Sequence, residues 1–308
     1  MSLRAQRLWG ALLLIVLTAL PTTTVTRIAE AQSSSGPSVQ KRTITRSTAK
    51  RKVRRRVRRA PPGGVWARNA IVMDPATGEI LYEKNSSSAV PIASLTKLMT
   101  SLVFLEQSPD LEREVEVTQI ELSGAGRTKL RSGERVRLDD LLHMSLMVSD
   151  NAATRVLVRE SGLGTEDFLA RMNSKTVEIG LARTRFVEFT GLDERNVSTA
   201  ADCARLLRAA AEHPVVQKIS TTRTHEFRSA TRQHLFGNTN RLVYGRYEVL
   251  GGKTGFINEA GYCLATWVRT QGRDMIAVVL GAPTAATRFA DVTRLVQRTT
   301  TPAVTATH

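Results

Sequence analysis

Apolar and polar positions alternate in blocks along the chain, and the blocks predict a layered protein. Residues 65–73 (VWARNAIVM) and 79–84 (EILYEK) are rich in apolar and β-branched positions, and Asp74-Pro75-Ala76-Thr77-Gly78 between them is turn chemistry. This predicts a β-hairpin. From Ser94 to Gln107 the period changes. Leu95, Leu98, Met99, Leu102 and Leu105 fall on one face of a helix, with Pro91 just upstream. The helical period recurs over Leu138–Val148, Ala152–Ser161, Thr165–Gly180 and Thr199–His213, the last with Ser198 as its expected N-cap. Strand-like runs return at Leu250–Gly255, Gly261–Arg269 and Met275–Gly281, and Arg288–Thr299 reads as a closing helix. Strands at both ends with helices between them predict one antiparallel sheet built from both chain ends, covered by helices, with a helical subdomain inserted.

Composition narrows the class. At 308 residues and 42% hydrophobic, the chain has material for a real core. Two cysteines exclude a disulfide-stapled miniprotein and a four-thiolate metal site. The net charge of +16 suggests a nucleic-acid binder until its location is read. Residues 1–60 hold 14 basic residues and one acid, Glu30, so the 44 and 28 of the whole chain leave 30 basic and 27 acidic residues for the rest. The body is nearly neutral, and the basic balance belongs to the N-terminal arm.

That arm opens as an export signal, residues 1–31. Arg4 and Arg7 precede an uncharged apolar run from Leu8 to Leu20, and Ala29-Glu30-Ala31 supplies small residues for a cleavage site. Thirteen residues make about 20 Å of helix, short of a ~30 Å bilayer core, so a cleaved signal peptide is expected rather than an anchor. Residues 32–64 carry eleven positive charges and no acid. They are expected to form a disordered Ser/Thr/Arg-rich tether, with residues 65–300 as the folded domain and 301–308 as a flexible tail. The tether can hold the domain away from the membrane or adhere to an anionic membrane or wall surface. A nucleic-acid partner is not expected, because no aromatics interleave the arginines and the protein reads as exported to the periplasm.

Three short motifs carry chemistry. Ser-x-x-Lys occurs at Ser38/Lys41, Ser47/Lys50 and Ser94/Lys97, and only the last opens a predicted helix, where positions i and i+3 share a face. A serine hydroxyl needs a neighbour to take its proton, and a lysine can do so only when neutral, as partial burial or a second cation makes it. Ser149-Asp150-Asn151 joins two predicted helices and, alone, reads as a turn. Lys253-Thr254-Gly255 follows Gly251-Gly252 on an expected sheet edge, where Lys253 and Thr254 could bind a substrate carboxylate and glycine permits close approach of a ligand.

Taken in this order, the motifs are the three elements shared by class A β-lactamases and penicillin-binding proteins. Over about residues 65–300 the sequence resembles the low-molecular-mass penicillin-binding proteins, the D-alanyl-D-alanine serine peptidases. The likeness runs through PIASLTKLMT around Ser94, MVSDNAA around Asn151, RFVEFTGL from Arg185, NVSTAAD from Asn196, STTR from Ser220, NTNRLVY from Asn238, GGKTGFINEAGYCL from Gly251 and FADVTRL near the end. It is greatest to the short D-alanyl-D-alanine endopeptidases of the penicillin-binding protein 7 type. The resemblance implies an α/β (α+β) β-lactamase/transpeptidase-like fold, peptidoglycan peptide stems as substrate and acylation by β-lactam antibiotics. It implies Ser94 as nucleophile, Lys97 as general base and Ser149 as a proton relay. Asn151 would hold Lys97 and the substrate amide, Lys253 would supply positive potential, and Thr254 would bind the substrate carboxylate beside Gly255. The backbone N–H groups of Ser94 and Phe256 would form the oxyanion hole. Phe256 stands where many carboxypeptidases of the family have histidine.

The resemblance leaves D-alanyl-D-alanine carboxypeptidase activity as the alternative, with a β-lactamase or a silent peptidoglycan-binding protein behind it. VEFTGLDERN contains Glu188 but no asparagine four residues later, as class A deacylation requires. No Gly-x-Ser-x-Gly occurs, which argues against a Ser-His-Asp hydrolase. No cofactor or metal is expected: the five histidines show no His-x-x-x-His pair, and His143, inside a predicted helix, reads as structural. Cys203 and Cys263 read as two separate buried thiols. Deleting residues 32–60 is expected to leave penicillin acylation unchanged while weakening binding to anionic vesicles or wall polymer in a salt-sensitive manner. Loss of acylation would make the arm part of the fold.

Overall fold

A computed structural model of the chain describes residues 64–300. The expected signal peptide, the tether as far as residue 63 and the tail from 301 lie outside the described residues. In chain order the domain begins with β1 (Asn69–Met73), β2 (Ile80–Lys84) and the short β3 (Val90–Pro91). A 3-10 turn, Ala93–Leu95, leads into α1 (Thr96–Glu106). Then come β4 (Glu114–Glu116), α2 (Gln119–Leu122), β5 (Arg135–Arg137), α3 (Leu138–Met147), α4 (Asn151–Arg159) and α5 (Thr165–Glu178). After β6 (Val197–Ser198) the chain forms α6 (Ala200–Glu212), α7 (Pro214–Thr221) and a hairpin of β7 (Thr224–Arg228) and β8 (Gln233–Gly237). It closes with β9 (Glu248–Ile257), β10 (Gly261–Thr270), β11 (Arg273–Ala282) and α8 (Ala285–Thr300).

The main sheet is antiparallel in the order β2-β1-β11-β10-β9, so both chain ends build it as expected. Its inner strands β1 and β11 are apolar on both faces. In β1, Ile71 and Met73 join one core while Ala70 and Val72 join another. In β11, Ile276, Val278 and Leu280 take the first side, and Met275, Ala277 and Val279 the second. α8 covers the second face with Val292, Leu295 and Val296, and the inserted helices cover the first. This double cover is why the sequence shows continuous apolar runs there rather than alternation.

Three local expectations shift. The first strand begins at Asn69 rather than at residue 65, because the Trp66 and Ala67 amides donate to the buried Asp291 carboxylate at 2.9 and 2.8 Å instead of to a strand. The N-cap of α6 is Thr199, whose hydroxyl accepts from the Asp202 amide at 2.9 Å; Ser198 lies in β6 and bonds Thr184 instead. The helix expected from Ser94 begins as the 3-10 turn, and α1 is not one-faced: every residue from Thr96 to Leu105 is buried. A helix enclosed on all sides belongs to a core, so α1 is the axis around which the inserted helices pack.

Candidate active site

Ser94 sits at the mouth of this axis. Its predecessor Ala93 holds a left-handed φ of 48°, a conformation that costs a non-glycine residue roughly 1–3 kcal/mol and needs support from its surroundings. The support comes from two glycines. A Cβ at Gly191 would stand 2.0 Å from the Ala93 carbonyl oxygen, so backbone meets backbone there. A Cβ at Gly255 would stand 3.0 Å from the Ile92 carbonyl oxygen and 3.2 Å from the Ser94 amide nitrogen. Glycine at 255 thus lets β9 close on the serine. β9 is an edge strand, as expected, and it carries Lys253 and Thr254 opposite Ala265 and Leu264 of β10.

One turn past Ser94, at the start of α1, Lys97 has no exposed surface. Its Nζ donates to Asn151 Oδ1 at 2.6 Å and to the Thr190 carbonyl at 2.5 Å, and lies 3.3 Å from Ser94 Oγ. Burial pushes the amine down to about 7; Glu188 and Asp150 pull upward, and Arg155 adds to the fall. A substantial fraction of Lys97 is therefore neutral near pH 7, the form able to accept a proton from a hydroxyl. Asn151 is held in turn, its Nδ2 donating to the Ala125 carbonyl at 2.8 Å.

Ser149 lies between α3 and α4 with a left-handed φ of 63°, which turns its side chain out of the helix path. Asp150 then caps α4, accepting from the Ala153 amide at 3.0 Å and from Thr128 at 2.7 Å, and burial raises its carboxyl. Lys253 Nζ donates to Ser149 Oγ at 2.8 Å and to the Thr254 carbonyl at 2.9 Å. Burial first, then the Lys97 and Arg288 charges, push Lys253 well below the usual lysine range. Thr254 Oγ1 meets Thr239 Oγ1 at 2.7 Å, and Thr239 is anchored on the Met147 carbonyl at the end of α3. Phe256 is exposed at the rim, its ring stacked on Tyr262 with centroids 4.3 Å apart.

All eight expected site residues thus lie along one cleft between β9, the mouth of α1 and the α3–α4 turn. The structure gives roles to residues to which the sequence reading assigned none. Asn196 is wholly buried and ties the 186–198 loop: its Oδ1 accepts from the Val187 and Glu188 amides, and its Nδ2 donates to Thr96 Oγ1 and to Glu188. Glu188 accepts from the Thr190 amide and hydroxyl and from the Gly191 amide, fixing the carbonyl that meets Lys97. The glutamate–asparagine pair sought at a spacing of four is present at a spacing of eight, facing inward as a brace. Arg288 of α8 donates to the Gly255 carbonyl at 3.1 Å from behind the sheet. Cys203 and Cys263 are buried and unpaired, with burial raising their thiols to about 12 and about 11.

A sheet with an inserted helical subdomain and a serine–lysine pair at the seam defines the active-serine transpeptidase fold. The crystal structure of the Streptomyces K15 DD-transpeptidase superimposes with a TM-score of 0.72 at 26% identity, covering 76% of this chain and 97% of that one. The chain belongs to the D-alanyl-D-alanine carboxypeptidase family, peptidase S11, whose model matches residues 56–284. It is 38% identical to a D-alanyl-D-alanine endopeptidase of Pseudomonas aeruginosa, over 77% of this chain and 78% of that protein. It is 35% identical to the endopeptidase of Escherichia coli, over 74% and 75%. No described helix is long and apolar enough to cross a membrane.

Asn196→Ala is expected to lower unfolding free energy by about 1–3 kcal/mol, since two partly buried loop amides lose their acceptor. Urea denaturation measures this. A change within about 0.5 kcal/mol, the range of neutral surface substitutions, would show that the brace does not hold the loop.

Proposed function

We propose that the protein is a serine DD-peptidase of peptidoglycan that cleaves D-alanyl crosslinks through an acyl-enzyme on Ser94. The observation that carries this is the buried Lys97 amine between Ser94 Oγ and Asn151 Oδ1, with its proton affinity lowered to about 7. In this reading neutral Lys97 takes the Ser94 proton as Oγ attacks the D-alanyl carbonyl. The oxyanion forms toward the Ser94 and Phe256 amides. Ser149, bonded to Lys253, passes a proton to the departing amine as the C–N bond breaks. Water then attacks the ester carbonyl, gives one of its own protons to Lys97, and that proton reaches Ser94 Oγ as the ester C–O bond breaks.

Lys253 and Thr254 receive the substrate carboxylate. Burial and its cationic neighbours hold Lys253 toward the neutral form, and an arriving anion reverses that, so a carboxylate-bearing ligand is favoured over a neutral one. An extended peptide can pair with the open side of β9, the usual way an edge strand binds a chain. A β-lactam presents an acyl group and a carboxylate to the same positions and forms the same ester. The relatives named endopeptidase favour crosslinks as the substrate, and the family description supports carboxypeptidase trimming of stems as the second reading. The expected leader directs the enzyme to the periplasm, where the basic tether either holds the domain away from the membrane or adheres to an anionic membrane or wall surface.

The test is digestion of purified crosslinked muropeptide dimers beside uncrosslinked pentapeptides, with Ser94→Ala as control. Dimers are expected to become monomers with wild type only. Loss of terminal D-alanine with dimers intact would select the carboxypeptidase reading, and turnover by Ser94→Ala would reject the nucleophile. The rate of acylation by a fluorescent penicillin is expected to rise with pH through about 7 and level above it, as Lys97 loses its proton. A rise centred near the free-lysine value of about 10.4 would exclude Lys97 as the base.

A further inference from the structure

Beside the cleft lies a small cavity, about 160 Å³, to which the acyl-enzyme scheme gives no task. Met144, Val148 and Phe236 form its apolar floor, and Arg127, Thr128 and Lys129 its more exposed rim, with Asp150 behind them. Two observations place it against the catalytic groups. Val148 and Asp150 flank Ser149 in the chain. The segment from 125 to 128 runs along the same turn: the Ala125 carbonyl accepts from Asn151 Nδ2 at 2.8 Å, and the Thr128 hydroxyl donates to Asp150 Oδ2 at 2.7 Å.

The charges of the lining point one way. Asp150 is its one acid, and both carboxylate oxygens are taken, Oδ1 by the Ala153 amide at 3.0 Å and Oδ2 by Thr128. Lys129 Nζ donates to the Leu235 carbonyl of β8 at 3.0 Å, which keeps its charge on the hairpin side of the rim. Arg127 is exposed and has no hydrogen-bond or ion-pair partner among the described residues. An entering group therefore meets hydrocarbon below, two cations at the mouth and no uncommitted carboxylate. That combination selects an aliphatic chain that ends in an anion, and a guanidinium is the side chain best shaped to receive a carboxylate.

We propose that this cavity receives the side chain of the residue preceding the D-alanyl group of the substrate, and that Arg127 selects one ending in a carboxylate. The assignment rests on the DD-peptidase reading for the position of the peptide. With the D-alanyl carbonyl at Ser94 and an extended chain along β9, the preceding residue stands about 3.3 Å further along, abreast of Asn151 and the 125–128 segment. At about 30 Å³ for each water-sized group, the cavity holds about five. A side chain of about three methylenes and a carboxylate fills it, and a whole peptide stem does not enter. Its methylenes would lie on Met144, Val148 and Phe236, and its carboxylate at Arg127, with Lys129 adding positive potential.

The test measures binding of three peptides, acetyl-X-D-alanyl-D-alanine, to the full chain carrying Ser94→Ala, so that affinity is read without turnover. X is 2-aminoadipate, with three methylenes and a carboxylate, its side-chain carboxamide, or aspartate, with one methylene. All three carry the same terminal carboxylate for Lys253 and Thr254, so that contact cancels. The 2-aminoadipate peptide is expected to bind about tenfold more tightly than its carboxamide, an exposed guanidinium giving less than a buried one. The aspartate peptide loses this advantage, because its carboxylate does not reach across the apolar floor. Adding Arg127→Gln is expected to bring the acid and the amide within about threefold, and Arg127→Lys to keep part of the preference. An unchanged thermal midpoint verifies that the Arg127 variants are folded. Equal affinity for acid and amide before Arg127 is changed, or a preference that survives Arg127→Gln, would overturn the assignment. Turnover of the same peptides by wild type separates it from the reading it rests on. A preference without turnover would reject the DD-peptidase and uphold the cavity, and turnover without a preference would do the reverse.

Discussion

Carrying a lysine amine wholly out of water is the constraint around which the domain is arranged. An unpaired buried ammonium is among the costliest groups a fold can contain, and even the neutral amine must find partners. Lys97 finds them in three places: the hydroxyl one turn back in its own segment, the Asn151 amide oxygen at the start of α4, and the Thr190 carbonyl in the 186–198 loop. Each partner comes from a separate stretch of chain, so the amine is satisfied only when all three are docked. The braces follow from this. Asn196 and Glu188 shape the loop so that its carbonyl points at the amine, and the Ala125 carbonyl restrains Asn151. Burial that would otherwise only cost stability becomes the source of the lowered proton affinity.

The second amine follows the same logic with a different outcome. Lys253 is as deeply buried, but its partners are a hydroxyl and the carbonyl next in its own strand, and no carboxylate faces it among the described contacts. Its amine is therefore pushed well below the usual lysine range, whereas the fall at Lys97 is opposed from within by Glu188 and Asp150. Two lysines of one cleft thus differ in how their surroundings balance a positive charge.

That both chain ends build one sheet was legible in the sequence because both faces are covered, which leaves long apolar runs bounded by turns. The cleft was legible because its residues form three local motifs, each short enough to be read without knowing the fold. What the motifs could not carry lies in long-range polar contacts, such as Asn196 to Thr96, that leave no periodic trace. The β7–β8 hairpin escaped for a related reason. Its inward positions are His225, Phe227, His234 and Phe236, so half of the buried side of a period-two pattern is histidine and the hydrophobic alternation disappears. The N-cap of α6 was displaced by one residue because Ser198 and Thr199 are equivalent as cap chemistry, and only the pairing of β6 with β3 decides between them.

The complete enclosure of α1 has an effect on how this enzyme can change. A rod packed on every side transmits any alteration in its volume to the sheet and to all the neighbouring helices at once. Ser94 at its mouth is therefore held closely in place. Adaptation to a new bond, a new stem or a new drug must then come from the border of the cleft, where Phe256 stands on the surface with only a stacked ring beneath it. The buried interior leaves little room for substitution, and the room that exists lies with a few side chains in contact with water.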